Sequence, residues 1–295
     1  MNATLAVLSD LHLSPTHGFF WDNWLRARDA VAAGAPEATI VNGDLCINGP
    51  DDSAELAFAA RVLRRLPGIV HALPGNHDVG DEPPGQDAHQ IVNAARLSAW
   101  TRHVGPDRVA FDLGAWRVLG MNAQLCGSGL PAEEEQWTWL ASALDHAERP
   151  VALFLHKPLF LEDPGENSPT IASLNPEPRA RLLSLLRGGP VRMIVSGHLH
   201  ARRDRVVNGI RHLWVPATSF LGAGGHGGEP SVGAVLLDLS GPEAVATDLP
   251  IPGLVAHDLT AIKGHGHYAF LRDMPPCPPR TEDLPRVAAD MGSFA

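Results

Sequence analysis

Residues 5–12, Leu-Ala-Val-Leu-Ser-Asp-Leu-His, begin with a short apolar run and end at two side chains that can bind a metal ion, Asp10 and His12. A short apolar run followed directly by polar residues is typical of a buried strand of a parallel sheet. In open α/β sheets, ligands gather at the carboxyl ends of the strands. This stretch therefore predicts both a parallel sheet and a binding site at its edge.

The same pattern returns four times along the chain. The later apolar runs lie at residues 38–41, 69–73, 151–155 and 191–195. The metal-capable residues that follow these runs are Asp44, Asn76, His77, His156, His198 and His200. Because the carboxyl ends of several strands can converge, these residues can meet without being close in sequence. The set is too large for one tetrahedral ion, but it suffices for two ions if a carboxylate bridges them.

The remaining pattern predicts helices between the strands and a β-rich second half. The predicted helices cover residues 22–33, 53–66 with Ser53 as N-cap, 88–103 and 133–147. Strands at 108–112 and 116–122 are predicted to pair, and turns at Asn208-Gly209 and Ser240-Gly241 suggest two further hairpins. A βαβαβ beginning implies parallel strands with helical crossovers. We expect one α/β domain with two packed sheets over residues 1–250 and an extended, Pro-rich C-terminal extension over 251–295.

Composition narrows the classes of partner and the compartment. The formal net charge is −10, from 23 Lys and Arg against 33 Asp and Glu, and this charge argues against long nucleic acids and anionic membrane surfaces as partners. The 3 cysteines are too few and too far apart for a disulfide framework or a thiolate zinc site. Asp10 interrupts the first apolar run too early for a signal peptide, and no stretch approaches the ~20 apolar residues of a membrane span. We expect a soluble, cytoplasmic protein.

The ordered motifs resemble those of a known family, the calcineurin-like metallophosphoesterase superfamily. They are Asp10-x-His12, Gly43-Asp44, Gly75-Asn76-His77-Asp78, His156 and Gly197-His198-x-His200. The resemblance covers roughly residues 5–239, and Leu-Ser-Asp-Leu-His-Leu and Gly-Asn-His-Asp are most similar to bacterial class III cyclic-nucleotide phosphodiesterases. It implies an αββα four-layer sandwich of two mixed β-sheets flanked by helices. It also allows a homodimer.

The resemblance further implies a binuclear centre of Mn, Fe or Zn ions. The first ion would be held by Asp10, His12 and His200, the second by Asn76, His156 and His198, and both by a bridging Asp44. Two such cations can activate a bridging water, so that the resulting hydroxide attacks the phosphate ester. His77 would protonate the leaving alkoxide or stabilise the phosphoryl group. Asp78 would either orient the His77 ring or stabilise the turn.

Departures from the family pattern exclude two of its branches. Ile47 stands where purple acid phosphatases carry a metal-ligating tyrosine. Residues 45–49, Leu-Cys-Ile-Asn-Gly, replace the Asp-Arg-Gly segment of the Ser/Thr protein phosphatases, so the arginine that grips a phosphoprotein is missing. We therefore predict a hydrolase for a small phosphodiester, with cyclic nucleotides as one candidate. The alternatives are a phosphomonoesterase for a nucleotide or sugar phosphate and a non-catalytic scaffold of the same fold.

One aromatic cluster has two interpretations. Phe19, Phe20, Trp21 and Trp24 follow the first ligand-bearing strand. They could stack a base or aryl group at the mouth of the site. Alternatively, they form the hydrophobic start of the first helix.

Overall fold

The structure is a computed structural model that describes residues 3–85, 88–259 and 275–280. Most of the C-terminal extension predicted for residues 251–295 lies outside these ranges. Its Pro-rich part, residues 275–280, runs beside the loop after the first strand. There the Cys277 backbone bonds to the backbones of Thr16 and Gly18.

The described residues form a regular alternation of strands and helices in the first half and mostly strands afterwards. The strands are β1 (Thr4–Leu8), β2 (Ala38–Asn42), β3 (Ile69–Leu73), β4 (Val109–Leu113), β5 (Trp116–Gly120), β6 (Val151–Phe154), β7 (Val191–Ser196), β8 (Ala201–Val207), β9 (Ile210–Trp214), β10 (Glu229–Pro230), β11 (Val235–Asp238) and β12 (Val245–Asp248). The helices are α1 (Trp21–Gly34), α2 (Ser53–Leu63), α3 (Asn76–Val79), α4 (Ala94–His103), α5 (Pro131–Asp145) and α6 (Pro176–Leu186).

The strands form two mixed sheets. One sheet has the order β12-β11-β1-β2-β3, and the other has the order β10-β8-β9-β7-β6-β5-β4. In the first sheet β1, β2 and β3 are parallel, and in the second β5, β6, β7 and β9 are parallel. The hairpin predicted at Asn208-Gly209 joins β8 to β9, and that predicted at Ser240-Gly241 joins β11 to β12.

Apolar side chains fill three layers between and outside the sheets. The layer between the sheets contains Leu5, Val7 and Ile40 from one sheet and Phe154 and Val195 from the other, all fully buried. Outside the first sheet α1, α2 and α4 pack on its second face, and outside the second sheet α5 and α6 do the same. The predicted four-layer αββα sandwich is confirmed.

A buried amide joins the two sheets at one end of the sandwich. Asn42, the last residue of β2, donates from Nδ2 toward the carbonyls of Leu155 and Val195 at 3.3 and 3.4 Å. These carbonyls lie at the ends of β6 and β7, so the carboxyl ends of parallel strands from both sheets are held together.

Two predicted helices differ from the observed ones for local reasons. The helix predicted at 53–66 is capped by Asp52, whose side chain accepts from the backbone N–H of Ala54, and not by Ser53. The helix predicted at 88–103 is divided into a 3₁₀ turn at Ala88–Gln90 and α4, because the Asn93 side chain accepts from the Arg96 N–H and starts a new helix. Helix α6, which begins with proline in its first turn, is not among the predicted helices.

Within the described ranges, no helix combines the length and apolar character that crossing a membrane requires.

The two candidate caps of α2 can be separated by mutation. We expect Asp52→Ala to lower the free energy of unfolding by about 1 kcal/mol, because an N–H at the helix start loses its acceptor. Ser53→Ala, at the neighbouring exposed position, is the matched control and should have little effect. Urea unfolding of both variants measures the difference, and an equal loss would contradict the assignment of Asp52 as the cap.

Candidate metal centre

The predicted ligands lie at the joined carboxyl ends of the two sheets. Asp10 and His12 follow β1, Asp44 follows β2, Asn76 begins α3 after β3, His156 follows β6, and His198 and His200 lie between β7 and β8. All are buried except His198, which is partly exposed. The structure therefore brings the strand ends that carry the predicted ligands to one edge of the sandwich.

Two carboxylates organise the cluster. Asp44 Oδ2 lies 3.2 Å from His156 Nε2, 3.8 Å from His12 Nε2 and 3.9 Å from His77 Nε2. Asp10 Oδ1 lies 3.1 Å from His200 Nε2 and 3.9 Å from His156 Nε2.

Potential ligand atoms within 4.8 Å of one another form three groups. The groups are Asp10-His12-His200, Asp44-His156-His198 and His12-Asp44-His77. The first two follow the predicted division between two ions. The third includes His77, to which the sequence analysis gave no ligand role.

Backbone carbonyls fix the orientation of three of the imidazole rings. His156 Nδ1 donates to Asn42 O at 2.8 Å, and His200 Nδ1 donates to Phe220 O at 2.9 Å. His198 donates from Nε2 to Ile171 O at 2.7 Å. Because a neutral imidazole carries one N–H, the other nitrogen of each ring keeps its lone pair for a ligand. This outer arrangement is the usual one around metal-binding histidines.

Unpartnered buried atoms show that the residues fit metal ions. Asp10 Oδ1 and Asn76 Oδ1 are buried without a hydrogen-bond partner in the described part of the chain. His200 Nε2 and Asp10 Oδ1 are both acceptors when His200 donates through Nδ1, yet they lie 3.1 Å apart. A cation between such atoms would remove the desolvation penalty of about 1–3 kcal/mol for each group. Carboxylate, amide and imidazole donors suit Mn, Fe or Zn ions.

The pKa shifts in the cluster also fit a bound cation. Burial holds the pKa of His12 and of His198 well below its usual range, which keeps both rings neutral. Burial would also lower the pKa of His156, but the carboxylates of Asp44 and Asp10 outweigh it and raise this pKa to about 9. Asp10 and Asp44 thus concentrate negative charge at His156, where a bound cation would balance it.

Backbone strain is concentrated at the same residues. Five of the predicted ligands have φ in the left-handed region, where the backbone of a residue other than glycine is strained. They are Asp10 (55°), His12 (48°), Asp44 (54°), His198 (70°) and His200 (49°). Strain of order 1 kcal/mol or more per residue persists only where the surrounding structure imposes it, and it is commonly found at functional sites.

Two motif glycines are required by close approach. A Cβ atom on Gly75 would overlap the Asp44 carboxylate, and one on Gly197 would overlap the Ser9 hydroxyl and the Asp10 carboxylate. These glycines therefore let the turns after β3 and β7 press directly against the carboxylates of the other strand ends.

His77 lies at the edge of the cluster. Its backbone N–H donates to Asp44 Oδ1 at 2.9 Å, and its ring Nδ1 donates to Ile47 O at 2.8 Å. The ring packs edge-on to that of His12 with centroids 4.4 Å apart, and its side chain is 14% exposed. The Nδ1 bond leaves Nε2 as the nitrogen that faces Asp44.

The prediction that Asp78 orients the His77 ring is wrong. The Asp78 carboxylate accepts backbone N–H groups of Leu45, Cys46 and Gly75 at 2.9–3.1 Å, while His77 Nδ1 bonds to a carbonyl. Burial and the nearby Asp44 raise the pKa of Asp78 to about 7. Because it sits in the first turn of α3, Asp78 meets backbone donors, and it has the turn-stabilising role that was the alternative.

Each of the two interpretations of the aromatic cluster applies to some of its residues. Trp21 and Trp24 are buried in the core beside α2, as the hydrophobic start of the first helix. The ring of Phe20, in contrast, lies 6.5 Å from that of His12 and 5.1 Å from that of Phe220, whose ring is 4.1 Å from His200. Phe20 and Phe220 thus form an apolar wall beside the predicted ligands.

Sequence reasoning missed a buried lysine next to the cluster. Lys157 is fully buried, and its Nζ lies 3.3 Å from Asp81 Oδ1 and 3.4 Å from Glu82 Oε1. The available signal was a lysine directly after a predicted ligand, His156, at the end of a strand.

Comparison with known proteins shows related sequences. The model of the calcineurin-like phosphoesterase family matches residues 3–202. The serine/threonine-protein phosphatase CPPED1 of Homo sapiens is 26% identical over 178 residues, which cover 56% of this chain and 54% of that protein. The chain thus spans about half the length of this relative. A probable cyclic nucleotide phosphodiesterase of Rhodococcus erythropolis is 31% identical over 220 residues, which cover 68% of this chain and 67% of that protein.

Solved structures share the fold. A dimetal phosphatase from Danio rerio superposes with a TM-score of 0.54 at 16% identity and covers 83% of this chain and 95% of its own. GAP50, described as the anchor in the inner membrane complex of Plasmodium, superposes with a TM-score of 0.61 at 14% identity and covers 86% of each chain.

The close approach at Gly75 predicts a site-specific defect. We expect Gly75→Ala to lower the free energy of unfolding by about 1–3 kcal/mol, because its methyl group displaces the Asp44 carboxylate. Metal content measured by mass spectrometry should fall with it. Gly34→Ala is the control, since a Cβ there meets only Leu249 at an ordinary 3.6 Å. Full metal loading and unchanged stability of Gly75→Ala would refute this packing argument.

Proposed function

The chain belongs to the calcineurin-like phosphoesterase family, and we propose that it is a binuclear metal-dependent hydrolase of a small phosphodiester. The observation that carries the proposal is the position of Asp44, whose Oδ2 faces both predicted ligand groups through His12 and His156. Asp44 Oδ1 is held by the His77 backbone N–H, which leaves Oδ2 as the shared oxygen.

This shared oxygen supports the ligand sets that the family resemblance implies. One ion would be held by Asp10, His12 and His200, the other by Asn76, His156 and His198, and both by Asp44. Two bound divalent ions would supply Lewis acidity that activates water and neutralises the phosphoryl oxygens.

His77 is the proposed proton donor of this chain. Its Nδ1–H is engaged by the Ile47 carbonyl, so Nε2 is the atom that can exchange a proton with a substrate. The ring is partly exposed at the edge of the cluster, where an ester oxygen of a substrate at the metal centre could approach it.

Two observations favour a small ester with an aromatic group. The formal charge of −10 disfavours a long polyanion, and the partly exposed Phe220 ring, 4.1 Å from that of His200, offers an apolar surface for a base or aryl group. The relative from Rhodococcus erythropolis is named a probable cyclic nucleotide phosphodiesterase, so cyclic nucleotides come first among the diesters to test.

A phosphomonoesterase is the second candidate, because the human relative is named a serine/threonine-protein phosphatase. A phosphoprotein is the weaker choice of monoester, since residues 45–49 lack the arginine that would grip one. A non-catalytic scaffold is the third. The unpartnered buried oxygens of Asp10 and Asn76 speak against it, because a scaffold gains nothing from unpartnered polar atoms.

Hydrolysis assays distinguish the three candidates. We expect Mn-loaded protein to hydrolyse bis(p-nitrophenyl) phosphate faster than p-nitrophenyl phosphate, and chelation to abolish both activities. Asp44→Asn is the matched variant, and it should lose metal and turnover together because the shared carboxylate is gone. A preference for the monoester would sink the diesterase proposal. Absence of any turnover in protein shown to hold two ions per chain would favour the scaffold.

The role of His77 depends on the leaving group. We expect His77→Ala to keep its metal but to lose about 100-fold in kcat on an alkyl diester, whose alkoxide needs a proton. The loss should be smaller on a p-nitrophenyl diester, whose leaving group is a weak base. His146→Ala, a change at an exposed histidine whose ring bonds to Ser142 O, is the control. Equal losses on both substrates would instead assign His77 to phosphoryl stabilisation, and loss of metal would refute either role.

A further inference from the structure

A cavity of about 180 Å³ lies beside the metal centre. Its inner end is formed by Glu82, Lys157 and Asn175, which are buried. Its rim includes Thr170, which is partly exposed, and Ile171, which is 41% exposed. The cavity thus leads from the surface to a buried charged pair.

The cavity shares backbone with the predicted ligands. Lys157 directly follows His156, and the carbonyl of Ile171 accepts the Nε2–H of His198. A substrate whose phosphate lies at His156 and His198 would therefore have the cavity next to one of its ester groups.

The inner end has hydrogen-bonding capacity to spare. Glu82 Oε1 accepts from Lys157 Nζ at 3.4 Å and from the Asn175 N–H at 3.2 Å. Glu82 Oε2 is buried and has no hydrogen-bond partner within the described ranges. Lys157 faces two carboxylates, those of Asp81 and Glu82, while an ammonium group has three donors.

The charged side chains at the inner end of the cavity determine which kind of substrate group can bind there. A second anion would be repelled by Glu82 and Asp81. An ammonium group could donate to Glu82 Oε2, but it has no lone pair to accept from Lys157, whose like charge would lie against it. A hydroxyl group carries no charge, donates to Glu82 Oε2 and accepts from Lys157. Burial raises the pKa of Glu82 to about 7 against the opposing effect of Lys157, and a hydroxyl group can pair with either protonation state.

We propose that this cavity is a specificity subsite that binds a hydroxyl group on an alcohol portion of the substrate, through Glu82 and Lys157. The proposal rests on the proposed function, because it places the phosphate at the metal centre. It identifies the substrate as an ester of a polyol or a sugar and not of a simple alkyl alcohol. An unmatched alkyl group would leave the buried Glu82 oxygen unpaired, and sites of this kind discriminate strongly.

Binding measurements on matched monophosphates test the subsite without requiring turnover. Isothermal titration of Mn-loaded protein compares ethyl and propyl phosphate with 2-hydroxyethyl and 3-hydroxypropyl phosphate. We expect at least one hydroxyalkyl ester to bind about tenfold or more tightly than its alkyl partner. The 3-aminopropyl and 2-carboxyethyl phosphates should show no such advantage.

Variants locate the effect. Glu82→Gln should reduce the hydroxyl advantage, whereas the exposed Glu134→Gln, the same chemical change at a distant ion pair with Arg181, should retain it. Because Glu82→Gln alters a buried pair and could fail to fold, Ile171→Trp provides a second route. It fills the cavity from its rim, and the ratio of hydroxyalkyl to alkyl affinity should approach one.

The outcomes separate this proposal from the proposed function. Equal affinities for hydroxyalkyl and alkyl esters in the wild type overturn the subsite, as does a preference for the amine or the carboxylate. A hydroxyl advantage that survives both Glu82→Gln and Ile171→Trp in folded protein also overturns it. A hydroxyl preference without diester hydrolysis would refute only the diesterase proposal. Diester hydrolysis without a hydroxyl preference would refute only the subsite.

Discussion

The carboxylate of Asp44 is buried where the two sheets meet, and it faces His12, His77 and His156. A buried carboxylate is costly unless charge and hydrogen bonds compensate it. One of its oxygens receives a backbone N–H and the other faces imidazole nitrogens. The need to compensate this carboxylate fixes the positions of three segments: the turn after β3, the end of β6 and the loop after β1. The geometry of the site therefore depends on Asp44.

Backbone conformation, close glycine contacts and hydrogen bonds in the surrounding structure hold the predicted ligands in place around Asp44. Left-handed backbone at five ligand positions and close glycine contacts at Gly75 and Gly197 both cost conformational freedom. Asn42 joins the strand ends of the two sheets, and carbonyls at Asn42, Phe220 and Ile171 fix three rings. Because these anchors are backbone carbonyls of the folded chain, the ring orientations do not depend on a bound ion. The fold therefore preorganises the candidate site.

Sequence reasoning worked where one local pattern carried the information. Apolar runs ending in Asp10, Asp44 and His156 predicted the strands, the fold class and a set of residues that the structure does bring together. The predicted role of Asp78 failed because a sequence does not show whether a carboxylate bonds to backbone or to side-chain groups. The Asp78 carboxylate accepts three backbone N–H groups. Sequence reasoning also missed the pairing of Lys157 with Glu82, because the two residues lie 75 positions apart and meet only through tertiary packing.

The charge distribution connects the global composition with the site. The chain carries a formal charge of −10, whereas two divalent ions would add about +4 at a single edge of the sandwich. A long polyanion would have to cross acidic surface to reach those ions, but a small ester meets only the local field. Next to the predicted ligands, the carboxylates of Asp81 and Glu82 outnumber the buried Lys157, so the adjoining cavity adds no net attraction for a second phosphate. Selection at that position therefore depends on hydrogen bonding and not on charge, and this favours an ester with one phosphate and a neutral, hydroxyl-bearing group.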